Sequence, residues 1–142
     1  MKRLSFAIFF IALCYNAFGG TFAEVKIKSH IVTAKVVSKP EEQTRGYMFK
    51  PAIADNEAML FVYPRDDIYS FWMKNTKFAL DIIWLDADKK AVHIKENFLP
   101  CVKDPCPVEN PGQKARYVLE VKNGTVKKTA LKLGDRVEFN LP

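Results

Sequence analysis

The run Leu80-Asp81-Ile82-Ile83-Trp84-Leu85 holds one carboxylate and five large apolar residues, with neither glycine nor proline. A chain that contains such a segment must bury it, and six residues bounded by polar sequence is the length of a buried strand. Immediately before it, Phe71, Trp72 and Met73 meet the polar, turn-compatible Lys74, Asn75 and Thr76. The stretch from Ser70 to Asp86 therefore joins a polar-aromatic cluster to the core, and it is the first place to seek a site.

The beginning of the chain has a different character. Lys2 and Arg3 precede an apolar run, Leu4 to Cys14, of 11 residues, whereas a membrane-spanning helix needs roughly 20. This is the pattern of a secretory signal. Small residues suit processing after Ala23, the preferred position, or after Gly19. Ile11-Ala12-Leu13-Cys14 resembles a lipobox, although such a box usually has a small residue where Leu13 stands, and lipidation of Cys14 ranks second. The expected organisation is a signal peptide over 1–23 and one domain over 24–142, long enough for one core and too short for two. Loss of Lys2 and Arg3 lowers the formal net charge of +6 by two. The remaining lysines are dispersed, as on a solvated surface, and no nucleic-acid motif accompanies them.

Of three cysteines, only Cys101 and Cys106 survive processing. Two cysteines in an exported chain, spaced CVKDPC, are most simply one short-loop disulfide. Closing so small a ring stabilises the fold by only ~2 kcal/mol, so the bond shapes a proline-rich loop more than it holds the domain. Zinc would need more ligands than this pair supplies.

Along the chain, Glu24 to Val37 alternates as strand, bent or turned back near Ser29-His30. Ser38-Lys39-Pro40-Glu41 offers a capping box, and Gly46 a stop, for a helix of about two turns. Met59 to Tyr63 is expected to be a strand ended by Pro64, with Arg65-Asp66-Asp67 as a turn. Asp86 to Lys90 reverses the chain into Ala91–Lys95, where Val92 and Ile94 alternate with His93 and Lys95. Four prolines and both cysteines make 98–112 a stapled surface loop. Tyr117, Leu119 and Val121 share a strand face opposed by Glu120 and Lys122. Thr125 is expected to cap a helix carrying Val126, Ala130 and Leu133 and ended by Gly134, and Val137 and Phe139 form a last strand. The expected fold is mainly β (α+β): a small barrel-like antiparallel or mixed sheet with two short helices.

RGYMFK, MLFVYP, FWMKNT, LDIIWLD, ARYVLEV, NGT and LKLGDRV occur in an order and spacing that resembles a small prokaryotic family of unknown function, DUF192. The resemblance spans roughly Val25 to Phe139. It implies a compact, mostly β domain with short helices and no known reaction. Where this chain has Tyr47, the family pattern usually has Leu.

Arg45, Asp81 and Asn75 each stand beside apolar sequence, where a buried polar group must find a partner. Two readings follow: an internal Arg45–Asp81 ion pair with Asn75 bonded to turn backbone, or a ligand site using the same groups. Trp72 and Tyr69 would add a stacking surface for a sugar or peptide, or else belong to the core. Met48, Met59 and Met73 are soft enough for Cu(I) but lie singly in apolar runs, as core residues do. His30 and His93 are isolated, and no G-x-S-x-G, H-E-x-x-H or phosphate-loop motif is present. The candidate ligand-binding residues are Arg45, Trp72, Asn75 and Asp81, without a metal or cofactor. The expected role is a non-catalytic binding or accessory module of the cell envelope, periplasmic or extracellular. It would be monomeric, with a small-molecule, carbohydrate or peptide ligand, no nucleic acid and no transmembrane segment after processing. The alternative is a hydrolase acting on envelope carbohydrate or peptide through carboxylate acid/base chemistry.

Overall fold

A computed structural model describes residues 20–142; most of the expected signal segment, with Cys14, lies outside the described residues. Nine strands and two short helices follow one another as β1 (Thr21–Ile27), β2 (His30–Val37), α1 (Pro40–Arg45), β3 (Glu57–Asp67), β4 (Phe71–Trp72), β5 (Leu80–Leu85), β6 (Ala91–Phe98), β7 (Val108–Glu109), β8 (Ala115–Lys122), α2 (Thr125–Thr129) and β9 (Glu138–Phe139). Seven strands make one curled sheet in the order β6-β5-β8-β3-β2-β1-β9, and β4 pairs with β7 separately. The sheet is mixed, as expected. β2 and β3 run parallel, and the other pairs are antiparallel. Its two ends approach each other at a Lys90–Arg136 bridge.

Both faces of this sheet are covered, which explains why β5 is buried along its whole length and apolar at every position but Asp81. On the inner face, Ile83 and Leu85 pack with Leu60, Leu119 and Val121 against β1, β9 and the α2 residue Val126. On the outer face, Leu80, Ile82 and Trp84 pack with Met59, Phe61 and Val118 against Tyr47, Ile53 and Met73. All six β5 residues are buried, and the Trp84 indole N–H donates to the Tyr69 carbonyl at 2.7 Å. Met59 and Met73 are ordinary packing residues of this outer layer.

The parallel pair has a consequence for function. Parallel neighbours need a long crossover, and here residues 38–56 supply it, carrying α1 and then the turn at Gly46 across the outer face. Gly46 takes φ +46° with ψ −128° and donates its N–H to the Glu42 carbonyl at 2.9 Å, a positive-φ helix stop outside the left-handed helical region that only glycine adopts readily.

Several local expectations need correction. The capping box does not form: Lys39, not Ser38, is the N-cap of α1, and no side chain caps it. β3 does not stop at Pro64, and Arg65 to Asp67 remain in the strand. The ladder to β8 is interrupted between Val62 and Asp67, and a proline fits such an irregular stretch because no ladder bond is required of its nitrogen. α2 is shorter than its apolar spacing suggests. Gly124 is the N-cap, the Thr125 hydroxyl donates backward to the Lys122 carbonyl at 2.6 Å, and the helix ends at Thr129, leaving Leu133 exposed. Val92 and Ile94 face opposite layers because the β5–β6 register shifts between Trp84 and Leu85.

Cys101 and Cys106 are bonded to each other, with their Cα atoms 5.4 Å apart. The bond sits in the loop that returns as β7 along β4, so the proline-rich segment is held against the strand that carries Trp72.

Candidate functional site

Asp81 is fully buried, and its carboxylate is completely engaged by backbone. Oδ1 accepts from the Asn97 N–H at 2.9 Å, and Oδ2 accepts from the Gly124 and Val126 N–H groups at 3.0 and 2.9 Å. A carboxylate at these N–H groups caps α2 from a distant strand and ties it to the β5–β6 hairpin. The expected Arg45–Asp81 ion pair is absent, since Asp81 faces the inner layer and Arg45 is exposed at the end of α1 on the other side. Asn75 is exposed too. It occupies a left-handed turn, φ +55°, a conformation asparagine tolerates. Its carbonyl accepts from the Phe49 N–H at 2.8 Å, and its amide lies 4.0 Å from the Met48 sulfur.

The sheet brings together a different set of groups on its outer face. Between α1 and β4 lies a cavity of about 350 Å³, and Arg45, Trp72 and Lys74 line it along with Tyr47, Tyr63 and Glu120. Glu120 comes from the middle of β8, opposite Met59 on one side and Ile82 on the other. It is 5% exposed, and its Oε2 has no hydrogen-bond partner among the described residues. Burial pushes its carboxyl up to about 8, because a charge removed from water and left unpaired is strongly disfavoured. The Tyr47 hydroxyl is likewise buried without a partner. Burial first, and then the nearby Glu57 and Glu120 charges, raise its ionisation well above the usual tyrosine range. Burial and Glu120 do the same for Tyr63. A Cβ on Gly46 would stand 3.9 Å from Glu120 Oε2, so the turn that ends α1 passes directly over the acid.

Trp72 is 44% exposed, with the Lys74 ammonium 5.5 Å from its ring centroid. Lys74 also lies 3.4 Å from Asp104 in the stapled loop. Tyr69 stacks on Tyr63 at 3.5 Å and donates its hydroxyl to the Arg65 carbonyl, which places it behind the cavity wall. A second cavity, about 600 Å³, shares the segment Arg45 to Met48 with the first, and there Lys50 is paired with Glu57. His93 is not isolated: its Nε2 is 2.7 Å from Glu109, which also pairs with Lys95.

Of the four residues singled out from sequence, the structure brings Arg45 and Trp72 to one cavity and sends Asp81 and Asn75 elsewhere. Glu120 was not legible as a site residue, because alternation in YVLEV assigns it to a solvent face. The usable signal was a lone acid within an apolar strand of a sheet covered on both sides.

The order of strands, the single crossover and the residues at the turns can be compared with known proteins. The sequence profile of DUF192, described as an uncharacterized ACR, matches residues 23–139. The chain belongs to this family. Among solved structures, this DUF192 protein is similar to one from Sinorhizobium meliloti 1021 that is provisionally described as a transcription regulator. Identity is 26% with a TM-score of 0.75, over 97% of this chain and 98% of that one. It is also similar to a protein of unknown function from Novosphingobium aromaticivorans DSM 12444, with 28% identity and a TM-score of 0.72 over 82% and 83% of the respective chains. No curated protein matches the sequence. Among the described residues, no helix is long and apolar enough to cross a membrane.

Proposed function

We propose that this protein is an exported ligand-binding module of the cell envelope whose site is the outer-face cavity between α1 and β4. One observation carries the reading: Glu120 and Tyr47, which both line this cavity, each hold a buried polar atom, Oε2 and the hydroxyl oxygen, that has no partner among the described residues. Each unpartnered buried group costs about 1–3 kcal/mol, and a ligand that bonds both would recover that cost on binding. The half-exposed Trp72 ring beside them offers a stacking surface. The export half of the proposal rests on the Lys2-Arg3 and apolar pattern at the start of the sequence and on the Cys101–Cys106 bond, which suits an oxidising compartment.

The raised carboxyl of Glu120 favours a second reading, a hydrolase that uses it as general acid. Glu120 is the only acid among the described residues lining the cavity, and Asp81 is committed to backbone on the opposite face. Binding is therefore the reading the geometry supports better.

A thermal-shift screen of small polar compounds tests both. A ligand at 100 times its dissociation constant should stabilise the wild type by ~2.7 kcal/mol, and Trp72→Ala and Tyr47→Phe should each reduce that response. A response that survives Trp72→Ala combined with Tyr47→Phe would remove the site from this cavity. Product released from a stabilising compound, detected by mass spectrometry and lost in Glu120→Gln, would favour the hydrolase.

A further inference from the structure

The outer-face cavity is chemically asymmetric from floor to mouth. At the floor, Glu120 and Tyr47 are each 5% exposed and each hold a buried oxygen without a partner among the described residues. A protonated carboxyl and a phenol both donate one hydrogen bond and accept others. A neutral group that both donates and accepts satisfies such a pair, and a hydroxyl is the smallest organic group that does so. At the mouth stand two cations, Arg45 and Lys74. Arg45 makes no ion pair among the described residues, whereas Lys74 is shared with Asp104. Among the described residues Glu120 is the only acid lining the cavity, so the charge balance at the mouth is positive. A guanidinium that is free at such a mouth matches a carboxylate with two parallel hydrogen bonds. Trp72 stands on the same rim and offers a flat apolar face. The volume of about 350 Å³ lies at the small end of ligand pockets and suits one ring.

We propose, resting on the ligand-binding reading of this cavity, that it takes a single-ring sugar acid. The carboxylate meets Arg45 at the mouth, the ring face lies on Trp72, and ring hydroxyls bond Glu120 Oε2 and the Tyr47 hydroxyl at the floor. The class is narrower than either of its halves. A neutral sugar leaves Arg45 unused, and a simple carboxylate leaves the buried oxygens unpaired.

Calorimetric titration of the full chain with three probes, glucuronate, glucose and acetate, separates these cases. Glucuronate should bind at least about tenfold more tightly than either of the others, the discrimination that one charged contact confers. Arg45→Gln, an exposed position whose replacement leaves the core intact, should lower glucuronate affinity to that of glucose and leave glucose unchanged. Tyr47→Phe should weaken glucuronate and glucose alike and leave acetate unaffected. Equal binding of glucose and glucuronate by the wild type would overturn the acidic part of the assignment, and equal binding of acetate would overturn the sugar part. If none of the three binds while another compound gives a Trp72- and Tyr47-dependent thermal shift, the sugar-acid assignment fails and the cavity remains the site. If no compound gives such a shift, both fail.

Discussion

Two carboxylates lie buried in adjacent strands, Asp81 in β5 and Glu120 in β8, and the fold treats them in opposite ways. Asp81 accepts three backbone hydrogen bonds and so helps hold α2 and the β5–β6 hairpin in place. Glu120 has an oxygen with no partner among the described residues, the deficit on which the proposed ligand site rests. Substitution should separate the two roles. Asp81→Asn keeps the shape but turns one acceptor into a donor facing N–H groups, which should cost about 3 kcal/mol in urea unfolding. It should leave ligand responses at the outer-face cavity unchanged. Unaltered stability together with a lost ligand response would return Asp81 to the site and contradict its structural role.

At the scale of elements, apolar periodicity was a good guide wherever a strand had one unambiguous core face. The hairpin of β1 and β2, the buried run of β5 and the terminal β9 all follow it. It misled where backbone irregularity intervened, as at the β5–β6 register shift, or where an apolar spacing continued past a helix end, as at Leu133. The first strand has a bearing on processing. Thr21, Phe22 and Ala23 pair with Val36, Lys35 and Ala34, and Ala23 is buried. Cleavage after Ala23 would remove three paired residues from β1, whereas cleavage after Gly19 would keep the whole strand. Intact-mass measurement of exported material should therefore show a chain beginning at Gly20. A start at Glu24 would mean that the domain forms without that part of the strand, and retention of Met1 would count against export itself.

For the molecule as a whole, the sheet with both faces covered explains why half of the candidate site was legible and half was not. Trp72 and Arg45 lie in short motifs at the surface, where a local reading suffices. Glu120 becomes a candidate only because β8 sits between β5 and β3 and because the crossover from β2 to β3 roofs the outer face, and no local pattern encodes that covering. The same covering makes stability depend on pH. Tyr47, Tyr63, Arg45 and Lys74 line the space around the acid, and desolvation moves its carboxyl from 4.5 to about 8. Below about 4.5, folded and unfolded chains both carry the proton. Between there and about 8 the folded chain alone carries it, so the unfolded state binds fewer protons and stability falls as pH rises. The two tyrosines titrate above this interval, and the lowered carboxyls of Asp55, Glu109 and Asp135 titrate below it. A shift of this size corresponds to several kcal/mol, about 1.4 kcal/mol for each pH unit traversed. Urea midpoints of the wild type should therefore fall between pH 5 and pH 9. Glu120→Gln keeps the side-chain shape without the charge, so its midpoint should fall less, and the variant should be the more stable protein at pH 9. Parallel slopes for the two proteins would mean that Glu120 does not titrate in a buried site, and the acid at the floor of the cavity would then have to be open to water.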